Sequence, residues 1–375
     1  MKKALCLLIM LLTPLCAWAD GSAAIEHDVT LSLPGENPGI SDCIPLPDGD
    51  VLLNVLTTGE LDGTSADMLY LLRVSAAGEI RWQTRYHLFT GNAGFDRYTL
   101  ALSRDSVTVT LYTGLIGNDH CTQTSMFFDL VTGKQDGEID VFSIPAEEVP
   151  TITHYGDYRI EEFFGDYNEF TVRTLITHIP TGRTAEHELG GNLAWTAFED
   201  KLLCFNTGSE DRGSYWMFDA TCLPVAEEVH TPFGAGHRQV SCAAELDGWL
   251  YLFVWLDGDN PDVRTYAVYP MDEELRFGDS IALFTLAEGH SLADVAVCGD
   301  GFLITEYYPW EWQQPARLAL SRLSKNGTLT VLAPELIFPR NDAAYLLPAS
   351  DGNHVPVILR DEADAAHHLR IYTAQ

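Results

Sequence analysis

Arg73-Val74-Ser75-Ala76-Ala77-Gly78-Glu79-Ile80 and Arg322-Leu323-Ser324-Lys325-Asn326-Gly327-Thr328-Leu329 are two copies of one hairpin, far apart in a chain of 375 residues. Each reads as strand, tight turn, strand, and the glycine supplies the positive φ that such a reversal needs. A hairpin repeated at a distance signals a repeat architecture, in which each unit stacks on its neighbours. On either side of the copies, strand signals run from Asp28 to the C-terminus. Asp50–Leu56, Val107–Tyr112, Phe170–Thr177, Trp249–Trp255 and Phe302–Tyr307 are rich in Val, Leu, Thr and aromatic residues. No long stretch keeps a helical period, so the chain reads as all-β.

The turns give the repeat its count. Short acidic or glycine turns recur at Asp48-Gly49-Asp50, Arg104-Asp105-Ser106, Tyr155-Gly156-Asp157, Glu199-Asp200-Lys201, Asp247-Gly248-Trp249, Gly299-Asp300-Gly301 and Ser350-Asp351-Gly352. Their spacing is roughly fifty residues, in the range of four-stranded propeller units. A second series follows them at Ala77-Gly78, Thr132-Gly133, Thr181-Gly182, Ala220-Thr221, Pro270-Met271-Asp272 and Asn326-Gly327. Each unit therefore reads as four antiparallel strands with tight first–second and third–fourth hairpins. The seventh unit ends early, because its third strand is His367–Ala374. An unassigned strand, His27–Leu33, stands ahead of the first unit. Used as the missing fourth strand, it closes the ring and leaves no open edge at the seam. The expected fold is a seven-bladed β-propeller, a single domain over residues 20–375, with the third blade at Thr151–Leu189.

Residues 1–19 read as a cleaved signal peptide. Lys2 and Lys3 form a positive start, Ala4 to Leu15 an apolar core, and Ala17-Trp18-Ala19 a small-x-small cleavage site. Leu15 stands where a small residue would precede a lipidated Cys16, so the reading is a secreted or periplasmic (cell-envelope) protein. The apolar run is short for a membrane span and no later segment reaches that length, so no integral membrane segment is expected. Removal of Lys2 and Lys3 leaves 20 basic against 54 acidic residues, a net charge of −34. Such a surface repels phosphate backbones and anionic lipids, which argues against nucleic acid as a partner. Six cysteines remain after residue 19, without CxxC or zinc spacing. Cys204–Cys222 is the best-placed pair for a disulfide, with buried free thiols as the alternative.

Individual hairpins resemble those of quinoprotein-like propellers, whose repeat has Asp, then Thr-Gly, then Trp four residues beyond the Gly. Phe128-Asp129-Leu130-Val131-Thr132-Gly133-Lys134 keeps the Asp and Thr-Gly but has Gly137 in place of Trp. Gly78 to Trp82 keeps the spacing but lacks the Asp. The resemblance covers hairpins in two or three blades and implies the propeller fold. The family's quinone-binding dehydrogenases carry eight blades and an adjacent cysteine pair, neither of which occurs here, so no quinone cofactor is implied. The sialidase Asp-box and the Trp-Asp repeat motif are absent.

Propeller topology places second–third loops and blade-to-blade connections on one face. The inferred loops there are long: Thr57–Asp67, Gly114–Thr124, Asn206–Ser214, Asp257–Val263, Tyr307–Ala316 and Asp361–Ala366. Long loops on a rigid scaffold carry function, so this face is the expected site. Tyr307, Tyr308, Trp310 and Trp312 fall in one Pro-bounded loop, where they could stack on a sugar or anchor a protein; folding back as a satellite cluster is the alternative. His87, His154, His237 and His290 fall in blade-to-blade connections and could converge on a metal or act as acid–base groups; hydrogen-bonded loop histidines are the alternative. Asp257-Gly258-Asp259-Asn260-Pro261-Asp262 has the composition of a calcium loop, but Pro261 and the missing Glu break the EF-hand pattern, so the default reading is a solvated acidic turn; no cofactor is predicted, and Ca2+ or another divalent cation is the alternative. No nucleophile-elbow, zincin or Walker motif occurs. The leading reading is an exported non-catalytic propeller that binds a protein or carbohydrate ligand through its long-loop face. The alternative is a lyase or glycoside hydrolase with a His/carboxylate site at the channel mouth.

Overall fold

The computed structural model describes residues 24–373 except 62–63, 91–95, 164–170, 191–192, 207–211, 226–228, 235–236, 257, 259, 261–262, 287, 309–315, 326, 339–344, 348–353 and 361–365. Seven four-stranded antiparallel sheets make a seven-bladed β-propeller. Blades 1 to 6 span residues 36–90, 97–145, 151–190, 193–234, 237–285 and 291–338, each in sequence order from innermost to outermost strand. The described helix is a single 3-10 turn, Ala146–Glu148, and no helix among the described residues is long and apolar enough to cross a membrane.

Blade 7 is built from both ends of the chain. Tyr345–Leu346, His354–Arg360 and His367–Thr373 supply three strands, and Ala24–Thr30 supplies the outermost. Pairing runs antiparallel from Ala24↔Thr373 to Thr30↔His368. The Asp28 carboxylate clamps this seam: it accepts His368 Nδ1 at 2.7 Å and Arg370 Nε at 2.9 Å. Closure is therefore both a backbone ladder and a half-buried ionic latch.

The duplicated hairpin makes the same bonds in both copies. Ser75 and Ser324 donate N–H to the carbonyls of Glu79 (2.8 Å) and Thr328 (3.0 Å), and their Oγ atoms accept the return N–H at 3.1 Å in each. Gly78 and Gly327 turn the chain at φ 80 and 83, in the left-handed region that glycine tolerates. The repeated Arg reaches the first–second turn of its own blade: Arg73 Nε meets Asp50 at 2.7 Å and Arg322 Nη2 meets Asp300 at 2.8 Å.

The turn glycines also seat one blade on the next. A Cβ on Gly78 would lie 2.8 Å from Val29 Cγ1, and one on Gly133 only 2.4 Å from Trp82 Cε3. Val29 and Trp82 lie on the outermost strands of the preceding blades, so the missing side chain is filled by a neighbour. Trp82 adds a bond from Nε1 to the Leu130 carbonyl at 3.0 Å. The apolar core likewise lies between sheets. Leu52, Leu69 and Leu71 of blade 1 pack on Leu100, Val107 and Val109 of blade 2, while Leu31, Ile358 and Leu369 pack on Leu53, Val55 and Leu72 across the seam. Each such fully buried side chain contributes about 1.5–3 kcal/mol.

Three expectations are corrected. Thr57–Leu61 and Thr64–Asp67, expected in a loop, continue the ladder of Val51–Leu61 against Thr64–Val74, paired as far as Leu61↔Thr64. His87 stands within the outermost strand of blade 1, paired to Leu69, because that strand runs on to Thr90. Cys204 and Cys222 are free thiols, as are the other four described cysteines. Cys204 is buried in the core between blades 3 and 4, and Cys222 Sγ is turned to the Arg183 carbonyl at 3.3 Å.

Candidate ligand-binding site

Innermost strands line the channel, and three of them carry a one-residue bulge. The register slips between Ile40 and Asp42, between Val240 and Cys242, and between Leu292 and Asp294. A bulge re-aims the side chain beside it. Asp42 and Asp294 occupy equivalent positions: each Oδ1 accepts the next backbone N–H, from Cys43 and Val295, at 2.8 Å. Burial raises both carboxyls, Asp294 to about 6.

A cavity of about 260 Å³ opens among blades 3, 4 and 5. Thr153, Tyr155 and Glu162 line it from blade 3, Trp195 from blade 4, and Gln239, Ser241 and Cys242 from blade 5. Trp195 Nε1 donates to Glu162 Oε1 at 2.9 Å, which fixes the carboxyl against the indole edge. Cys242 Sγ donates to the Ala293 carbonyl at 3.7 Å, tying the wall to blade 6 beside Asp294. Burial raises Tyr155 to about 12, with the acidic groups of Glu162, Cys242 and Asp294 acting in the same direction. Burial also raises the Glu162 carboxyl, against the lowering effect of the Trp195 bond, and pushes the Cys242 thiol up. The pocket thus offers hydroxyl, amide and carboxyl groups beside two aromatic rings, and among the described residues its lining includes no Lys, Arg or His.

The described lining contains none of the sequence-predicted residues. Tyr307 and Tyr308 end the second strand of blade 6, paired with Leu318 and Arg317; their side chains, with Trp310 and Trp312, lie outside the described residues. His154 is in the innermost strand of blade 3, and its Nε2 accepts the Leu102 N–H of blade 2 at 3.1 Å. Burial and then the nearby Arg159 lower its pKa to about 4, so it serves as a neutral strut between blades. Burial also lowers the pKa of His87. His290 is buried with Nδ1 3.3 Å from Glu306, whose other oxygen accepts Ser321 Oγ at 2.9 Å. His237 begins the innermost strand of blade 5, and its side chain lies outside the described residues. Among the described residues, no three His, Cys, Asp or Glu side chains are grouped to hold a metal ion. Asp257, Asp259 and Asp262 of the calcium-like loop lie outside them.

Tyr155, Glu162, Trp195, Cys242 and Asp294 were not singled out by sequence reasoning. The available signal was a polar residue inside an apolar innermost strand, as in Leu292-Ala293-Asp294-Val295 and Ile40-Ser41-Asp42-Cys43.

Similarity to solved structures fixes the architecture. The chain resembles the polysaccharide lyase Uly1 with a TM-score of 0.50 and 10% identity, covering 94% of this chain and 100% of that one. It is a β-propeller. It is also similar to a prolyl endopeptidase (TM-score 0.47, 11% identity, 90% of this chain and 50% of that one). A putative 6-phosphogluconolactonase from Bacteroides uniformis matches at TM-score 0.44 and 14% identity, over 80% of this chain and 90% of that one. The propeller spans about half the length, 50%, of the prolyl endopeptidase it matches. No family model and no curated protein matches the chain. At these identities the likeness carries the fold alone.

Proposed function

We propose that this propeller is an exported, non-catalytic binding protein that takes a neutral, hydroxyl-rich ligand, the end of a carbohydrate, into the channel pocket of blades 3 to 5. The observation that carries the reading is the pocket's lining. Trp195 and Tyr155 bring aromatic rings to the lining, and Thr153, Glu162, Gln239 and Ser241 bring donors and acceptors, the combination that suits a sugar ring. Its 260 Å³ falls below the ~300 Å³ at which drug-sized sites begin, which fits one ring rather than a long chain. Among the described residues the lining has a glutamate and no cationic side chain, which disfavours anionic ligands. Export rests on the Lys2–Ala19 segment, and the aromatic residues Tyr307, Tyr308, Trp310 and Trp312 are assigned to hold the rest of the glycan or a protein that bears it.

A thermal-shift screen of neutral and acidic mono- and disaccharides tests this. Neutral sugars should stabilise the purified protein, and Gln239→Trp, a bulky side chain at an exposed position of the lining, should abolish the shift without altering the unliganded melting temperature. No response to any neutral sugar at millimolar concentration, or an undiminished response in Gln239→Trp, defeats the reading. Trp310→Ala with Trp312→Ala tests the loop separately: it should weaken oligosaccharides and leave single sugars untouched.

One observation favours a second reading. Burial raises two carboxyls beside the cavity, Asp294 to about 6 and Glu162 in the same direction. That supports acid–base chemistry of the lyase or glycoside hydrolase kind. Reducing-end or unsaturated-product assays across a glycan panel should then show turnover that Asp294→Asn removes while binding persists; a panel with no product rejects it.

A further inference from the structure

The outermost strand of blade 2, Gln135–Pro145, ends its sheet, and its first nine residues are exposed. Five of the ten exposed large apolar side chains among the described residues belong to blade 2, and three of them, Ile139, Val141 and Phe142, stand on this strand at 49%, 60% and 55% exposure. Four of the other outermost strands are blunted in recognisable ways. Val229–Gly234 and Leu329–Phe338 contain Pro232 and Pro334, Ala282–Thr285 has four residues, and Ile80–Thr90 carries Arg81 and Arg85.

In Gln135–Pro145 the blunting is partial. A register slip against Ser125 and Phe127 distorts the stretch from Asp136 to Asp140, and the ladder is then regular from Asp140↔Ser125 to Pro145↔His120. That regular stretch presents outward N–H and C=O groups at the spacing another strand reads. Carboxylates flank it on both sides: Asp136, Glu138 and Asp140 before the apolar centre, Glu147 and Glu148 after it. No Lys or Arg falls between residues 135 and 148. A second copy of this strand would set carboxylate against carboxylate, and the whole chain carries a net charge of −32, so self-pairing is disfavoured.

We infer that this edge docks a basic, extended segment of another protein, which adds a fifth strand to blade 2. Its apolar side chains cover Val141 and Phe142, and its Lys or Arg side chains meet the flanking carboxylates. The site is independent of the channel pocket.

The test uses short fluorescent probe peptides on the purified protein: one alternating Lys and Val, one alternating Glu and Val, and a Lys/Val peptide N-methylated along one edge. The Lys/Val probe should bind and weaken between about 50 and about 300 mM salt. The other two should bind at least ~10-fold more weakly, because one lacks the charge and the other the ladder donors. Asp140→Lys with Val141→Lys and Phe142→Lys should cost the Lys/Val probe at least ~10-fold, and the milder Asp136→Asn with Glu138→Gln and Asp140→Asn a smaller part of that. Both variants should melt as the parent does; if the first misfolds, the second decides. Equal binding of the N-methylated probe, or of the probe to the variants, overturns the inference in favour of diffuse charge attraction. A dimer in sedimentation that the variants abolish overturns it in favour of self-pairing.

Discussion

Removing the Asp28 carboxylate tests how the ring is held shut. Asp28→Ala leaves His368 and Arg370, whose side chains are only 9% and 11% exposed, without the acceptor they share. Hydrogen bonds to charged groups contribute about 1.5–3 kcal/mol each. Because Asp28 itself is 38% exposed, water screens and partly replaces it, and one bond's worth, about 2 kcal/mol, is the expected loss. For a chain of this length an unfolding entropy of about 2.1 cal/mol/K per residue converts that loss to a fall of about 3 °C in melting temperature. Differential scanning calorimetry reads it directly. Asp28→Asn, which keeps one oxygen acceptor, should fall between the parent and Asp28→Ala. Deleting residues 24–33 should do far more, because it also bares the ladder edge of His367–Thr373 and removes Leu31 from the seam core. If Asp28→Ala melts within about 0.5 °C of the parent, the latch is an ordinary surface pair and the ladder alone closes the ring.

Other positions give independent checks. Gly133→Ala, at φ 66 with a Cβ 2.4 Å from Trp82, should cost about 3 kcal/mol in urea unfolding, whereas Gly182→Ala, at φ 67 with nothing within 4 Å, should cost about 1 kcal/mol; equal costs contradict the docking of turn glycines on the neighbouring blade. Trp82→Phe keeps the ring packing but loses the bond to Leu130, for about 1 kcal/mol by the same assay. His154 titrates at about 4 when folded against 6.5 as a free side chain, so the unfolded chain takes up its proton first as pH falls. Its contribution is constant above about pH 6.5 and turns destabilising down to about pH 4, by at most about 3 kcal/mol. The stability difference between His154→Gln and the parent should follow that window, and a pH-independent difference contradicts a buried neutral imidazole.

The scaffold was legible because its turns are local. Gly78 and Gly327 need left-handed backbone wherever they occur, and Arg73 and Arg322 sit at fixed distances from the acidic turns they bind, so a periodic sequence reports a periodic structure. The closing strand was legible by subtraction, since six complete units and one incomplete unit leave His27–Leu33 a single place to go. Its Asp28 latch was not, because His368 and Arg370 lie some 340 positions away in sequence. The pocket was hidden for a related reason. Tyr155, Trp195 and Cys242 stand on the innermost strands of three different blades and share no motif, and Glu162 enters only because its strand pairs beside the channel strand. The histidines drew attention through their chemistry, yet His154 and His290 took hydrogen bonds within the scaffold, as buried polar groups must. The free Cys204 and Cys222 show that an even cysteine count permits bridges without requiring them.

The most direct test of the channel pocket as the ligand site is a crystal structure of the protein grown with a saturating neutral saccharide. The proposal predicts one sugar ring among Tyr155, Glu162, Trp195 and Gln239, with its hydroxyls bonded to Glu162 and Gln239. A saccharide bound elsewhere, with only water in the cavity, contradicts it.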